Sequence, residues 1–120
     1  MSAEADFRAT LAAHVPLTAL VAGRIALNAL PQGSALPIVV YTATHVPQLN
    51  LLGVQLDDEV TFEVQCWADS AATAQAVADA AQAAVGTAPA ANAAAVVGRA
   101  TGYDADLQLD ATVLTVSWWA

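Results

Sequence analysis

The sequence contains no lysine. Its only cations are Arg8, Arg24 and Arg99, against 11 acidic residues, giving a formal net charge of −8. Nucleic-acid backbones are bound by Lys and Arg that neutralise phosphates, and three scattered arginines form no such patch. The same shortage argues against docking on an anionic membrane surface. A single cysteine, Cys66, excludes an intramolecular disulfide and says little about compartment. Charged residues of both signs make up only 12% of the chain, well below the share usual for soluble domains.

Long hydrophobic runs are missing too. The stretch from Ile25 to Leu56 carries no Asp, Glu, Lys or Arg, but Pro31, Gln32, Gly33, Pro37, Pro47 and Asn50 interrupt it, so it is no membrane span. MSAEADFRAT opens acidic and polar, unlike a secretory signal, and synthesis in the cytoplasm is the expectation. GxGxxG, P-loop, HExxH and GxSxG patterns do not occur, so neither an enzyme nor a cofactor is expected.

What the chain does have is 58% hydrophobic residues, many of them alanines clustered between Ala71 and Ala95. Its 120 residues suit a single domain spanning 1–120 with one ordinary core. Low charge with many small residues leaves more weakly polar surface than a monomer needs, a first pointer to an oligomer.

The patterning predicts a helix to about His14, with Ser2 as its cap, and a short second helix begun by Pro16 and ended by Gly23. RIALNAL (24–30) reads as a short extended segment and PIVVYTATHV (37–46) as a strand, with PQGSALP and PQLNLLG as loops. The clearest strand signal runs from about Val54 to Ala68. There Val60, Phe62, Val64 and Cys66 alternate with Thr61, Glu63, Gln65 and Trp67. An amphipathic helix over 71–85 follows, capped by Asp69 or Ser70 and ended by Gly86, with Ala74, Val77, Ala78, Ala81 and Val85 on one face. TAPAANAAA reads as a loop. AVVGRATGYDADLQLD reads as a weak strand with a turn at Gly102–Asp104, and ATVLTVSWW as the final strand. The order α-α-β-β-β-α-β-β predicts an α+β fold: a mostly antiparallel sheet of four to five strands with two main helices packed on one face.

Few residues suggest chemistry. Cys66 lies just before a helix cap, where a thiol gains reactivity, but its register with Val60, Phe62 and Val64 places it in the core as a small hydrophobe. His14 reads as a helix-end residue and His45 as a strand end, and neither has metal-ligand spacing. Asp57-Asp58-Glu59 is the densest run of charge, with no calcium-loop pattern, and reads as a solvated turn or loop flank.

The ending TVSWWA poses a packing problem. In a strand, Trp118 and Trp119 point to opposite faces, and one core covers one face only.

Taken in order, these features resemble a known family. Gly-Arg-Ile at 23–25, a PQG…LP loop leading into a β-branched strand with Tyr41, VTFEVQCWADS before the alanine-rich helix, and a C-terminal SWW look like the small tail-completion, or tail-terminator, proteins of long-tailed phages and gene-transfer particles. The resemblance implies a structural protein of the virion tail, assembled in the bacterial host cytoplasm. Such proteins form a ring, typically of six subunits, at the head-proximal end of the tail tube. The ring stops tube polymerisation, offers the surface that joins the head, and lets DNA pass through its lumen. The implied partners are further copies of the chain, the tail tube protein and the head–tail connector, with no membrane and no specific DNA binding. An acidic, lysine-free subunit suits a passage that must not hold DNA.

Under that resemblance two contact regions stand out. One is Trp119, either meeting a neighbouring subunit or packing under a helix or loop of its own chain. The other is the segment 47–59, where Leu49, Leu51 and Leu52 are apolar for an exposed loop and Asp57, Asp58 and Glu59 set the polarity of a partner. Its bland counterpart is a hairpin loop folded over its own sheet. Two rival functions are a head–tail connector or adaptor subunit, and a small enzyme or ligand-binding domain.

Overall fold

The computed structural model describes residues 3–28, 35–49 and 55–119, with the backbone alone at 46–49 and 55–58. In chain order the elements are α1 (Ala3–Ala13), α2 (Val15–Val21), β1 (Ile25–Leu27), β2 (Ile38–Leu49), β3 (Gln55–Ala68), α3 (Ala71–Val85), a 3-10 turn at Ala90–Asn92, β4 (Ala95–Asp104) and β5 (Leu109–Trp119). The five strands form one sheet in the order β1-β2-β3-β5-β4. β1 runs parallel to β2 and every other pair is antiparallel. This is the expected α+β architecture.

Alternation along the strands decides which face is covered. Tyr41 pairs with Val64 and Val64 with Leu114; Ala43 pairs with Phe62 and Phe62 with Val116; Val60 pairs with Trp118. These side chains share one face, and Phe7 and Leu11 of α1, Leu17 and Val21 of α2, and Val77, Ala78 and Ala81 of α3 close over it. The alanines let α3 lie close to the sheet. Ser70 caps α3, its hydroxyl accepting from the Thr73 amide at 3.2 Å. Gly86 ends α3 in a right-handed conformation (φ −64), so the freedom of glycine is not what stops it there. After α2 the chain does turn left-handed, with Ala22 at φ 51 and Gly23 at φ 75.

Four local expectations change. β2 runs on to Leu49, so His45 lies inside it and Pro47–Leu49 belongs to a strand, not a loop. Asp57, Asp58 and Glu59 are strand residues of β3, as the strand signal from about Val54 implied and against their reading as a turn or loop flank, because the β2 ladder carries them: Pro47 pairs with Asp58 and Val46 with Glu59. β4 is a full ten-residue strand, with its turn after Asp104 and not at Gly102. The alanine-rich connector contains the 3-10 turn at Ala90–Asn92. Ser2 lies outside the described residues.

Polar contacts fasten the periphery. Arg99 on β4 donates from Nη1 to Asp79 Oδ1 at 2.8 Å and to Gln82 Oε1 at 3.2 Å, tying the edge strand to the polar face of α3. His45 Nε2 lies 2.5 Å from Glu4 Oε1 and joins β2 to the start of α1. That hydrogen bond holds the Glu4 carboxyl below its ordinary 4.5. A carboxylate whose folded value is depressed contributes stability above its unfolded value, and the contribution fades as pH falls through the folded value. Glu4→Gln is therefore expected to cost at most about 1 kcal/mol at neutral pH, because the pair is partly exposed. The difference from wild type should vanish well below pH 4.5 in urea titrations run across pH. An unchanged difference in acid would show that the pair is not the source.

Candidate assembly interface

Trp118 and Trp119 part as strand geometry requires. Trp118 is wholly buried against the edges of Phe7 and Phe62, with ring centroids 5.5 and 6.1 Å away. Trp119 belongs to the helix-free face, half-buried, directly across the ladder from Glu59. Its carbonyl accepts from Asn92 Nδ2 at 2.7 Å, which fastens the end of β5 to the 3-10 turn.

The helix-free face divides along its length. At one end Ile38 and Val40 are buried, 3% and 1% exposed, although no described helix lies over them. They pair with Trp67 and Gln65, beyond which lie Ala111 and Val113. Trp67 Nε1 donates to Gln65 Oε1 at 3.1 Å and Gln65 Nε2 donates to Glu63 Oε1 at 2.9 Å, a polar chain running along β3. Toward the other end the face turns to Thr42, Thr44, Thr61, Thr115 and Ser117, then reaches Glu59 and Trp119. Its described strand positions hold no cation, since the side chain of Arg99 is on the helical face.

Beyond the Glu59–Trp119 pair the sheet narrows. Gln55–Asp58 of β3 have β2 as partner but no described residue of β5, so the two strands continue as a ribbon past the end of the sheet. Pairing slips by one residue between Pro47 and Leu49, an irregularity that bends and twists such a ribbon. The ribbon continues the β2–β3 ladder as far as the Leu49–Gln55 pair.

Of the seven positions singled out in the sequence, Glu59 and Trp119 are brought together as a cross-strand pair. Leu49, Asp57 and Asp58 lie on the ribbon, with their backbones described and their side chains not. Leu51 and Leu52 lie outside the described residues. The Glu63-Gln65-Trp67 chain was not singled out, although the two-residue alternation opposite Cys66 already places all three on one face.

Cys66 is fully buried, and burial pushes its thiol up to about 12, far from a reactive thiolate. Among the described residues no three His, Cys, Asp or Glu gather as metal ligands, and no helix is long and apolar enough to cross a membrane.

Comparison with known proteins gives this geometry a context. The chain superposes on a chain of the structure titled "Virion of native gene transfer agent (GTA) particle" with a TM-score of 0.78 at 18% identity, covering 98% of this chain and 93% of that one. At that identity the likeness establishes the fold. No curated protein matches the sequence. The family model described as tail completion protein gp17 matches residues 5–120, nearly the whole chain. The chain thus belongs to the tail completion protein gp17 family, whose members are structural proteins of the phage tail.

Proposed function

We propose that the chain closes a phage or gene-transfer tail as a ring of identical subunits, six in number, at the head-proximal end of the tail tube. There it ends tube polymerisation and offers the surface to which the head–tail connector docks. Subunits are made and assembled in the bacterial host cytoplasm, and DNA passes through the lumen without specific binding.

The observation that carries this reading is the β2–β3 ribbon, which outruns its own sheet and leaves strand edges with no partner among the described residues. Closed rings use heterologous contacts, in which one patch of a subunit meets a different patch of the next. The ribbon residues Leu49, Asp57 and Asp58, with Glu59 and Trp119 beside its base, belong to one such patch, and the reading assigns Leu51 and Leu52, which lie between them in sequence, to the same contact. An extended ribbon suits a second surface better than a flat patch does, since it reaches past its own domain. A lysine-free chain with a net charge of −8 suits a passage that repels DNA.

Cryo-electron microscopy of the native particle tests the proposal. The expected result is one closed ring of this chain at the head-proximal end of the tail, with Trp119 or the ribbon against a neighbouring copy. Density along the tube would refute it, and density in the neck would favour the connector reading.

A further inference from the structure

β4 is the outermost strand on one side of the sheet, and it pairs with β5 alone. On the other side β1 covers only Val39–Tyr41 of β2, and the chain turns left-handed at Asn28 (φ 71). From Thr42 onward that edge of β2 has no partner among the described residues. We propose that β4 of one subunit pairs, antiparallel, with this free edge of β2 in the next copy, so that one sheet runs on from subunit to subunit. The inference rests on the ring reading for its occupant, and it supplies the second patch that a heterologous contact needs.

Direction fits the two edges to each other. β2–β3, β3–β5 and β5–β4 are three antiparallel steps, so β4 runs opposite to β2. A neighbour set in the same orientation therefore meets β4 in the antiparallel sense, the more stable of the two ladders.

The projection of backbone and side chains fits as well. The Val39 amide donates to the Arg24 carbonyl at 3.0 Å and the Asn28 amide to the Tyr41 carbonyl at 2.8 Å, so odd-numbered residues of β2 turn their backbone groups toward β1. Past β1 these are Ala43 and His45, which face outward. Pro47, next in that series, has no N–H and limits the ladder there. Carried across the ladder pairs, the same alternation turns Gly98, Ala100 and Gly102 toward β5 and Arg99, Thr101 and Tyr103 outward. Both outward sets lie on the helical face: Ala43 packs on the core, His45 reaches Glu4 and Arg99 reaches Asp79. Pairing them keeps the helices of both copies on one side of the shared sheet.

Charge permits the contact. Ala43, His45, Arg99, Thr101 and Tyr103 include no acidic residue, so two copies of a chain with a net charge of −8 meet there without carboxylates opposed. Unpaired edges are commonly blunted by lysine or proline. β4 has neither, its one cation is drawn onto α3, and Val97 and Tyr103 stand 64% and 61% exposed. The irregularity between Val96 and Gly98 leaves the stretch from Arg99 to Tyr103 regular.

Cross-linking in assembled particles tests the pairing. Side chains directly or diagonally opposite across two strands lie about 5–8 Å apart, within reach of a short bis-maleimide. Cys66 is fully buried, with its thiol pushed up to about 12, and stays unmodified. In particles carrying the double variant His45→Cys/Thr101→Cys the reagent should join copies into a ladder from dimer to hexamer, and neither single variant should cross-link. Dimers from Thr101→Cys alone would overturn the proposal in favour of β4 paired with β4 about a twofold axis. A ring seen by cryo-electron microscopy whose double variant does not cross-link would also overturn it, and would leave the ring reading standing. A ladder running past six would keep the edge pairing and overturn the ring of six. Hydrogen exchange on the unaltered chain decides if the variants fold poorly. The amides of His45 and Thr101 should be protected in particles and exchange freely in the monomeric chain, and equal exchange in both would overturn the proposal.

Discussion

Phe7→Ala is expected to lower the stability of the subunit by about 3–5 kcal/mol, the range for removing a buried aromatic side chain. Phe7 is the centre of the aromatic cluster. Its ring stacks on Phe62 with centroids 4.0 Å apart and planes 6° off parallel, meets Trp118 edge-on at 5.5 Å, and lies 5.7 Å from Tyr41. It is fully buried, and with Ala3 and Leu11 it makes up the buried face of α1. Truncation removes both the transfer term and the aromatic contacts, and it leaves a cavity that the ladder-bound Phe62 and Trp118 have little freedom to fill. A domain of this size has about 5–15 kcal/mol in total, so the loss is a large share of it. Urea unfolding followed by tryptophan fluorescence reads the effect directly, with the exposed Arg8→Ala as a control expected within about 0.5 kcal/mol of wild type. A Phe7→Ala midpoint close to wild type would mean that α1 unfolds apart from the sheet.

Removing the ribbon should have the opposite profile: little loss of stability and a large loss of assembly. Replacing residues 48–57 with Asn-Gly joins the paired positions Pro47 and Asp58 by a two-residue hairpin turn, a favoured connection. The core cluster of Phe7, Tyr41, Phe62, Leu114 and Trp118 lies outside the deleted segment. The shortened chain should therefore keep its cooperative unfolding. If the ribbon contributes about 3 kcal/mol to each subunit contact, its loss weakens that contact about a hundredfold. In a host producing only the shortened chain, electron micrographs should show unjoined heads and tails in place of complete particles. A normal yield of joined particles from a folded, shortened chain would remove the ribbon from the interface.

Local patterning was enough for the element order. Alternation in Val60–Trp67 placed Cys66 inward and Trp67 outward, and the spacing of Ala74, Val77, Ala78 and Ala81 defined the buried face of α3. Both readings hold because a period of two or 3.6 residues is a property of the chain itself. The failures came where pairing with a distant strand overrode local composition. Pro47–Leu49 and Asp57–Glu59 look like loop by residue type, yet each is held extended by the other. β4 reads weakly because its alanines and glycines have low strand propensity. β5 gives it a ladder, and Arg99 reaches Asp79, 20 residues away in the chain.

The candidate sites divide the same way. That the two final tryptophans point apart is strand geometry, legible from TVSWW alone. That Trp118 is the core residue, and that Glu59 stands beside Trp119, follows only from the side of the sheet on which the helices settle and the register in which β3 meets β5. The sequence by itself determined the element order, the amphipathic faces and the acidic, lysine-free character, all properties of near neighbours or of composition. Register, the covered face of the sheet and the reach of the ribbon come from contacts between residues far apart in the chain, which no local pattern encodes.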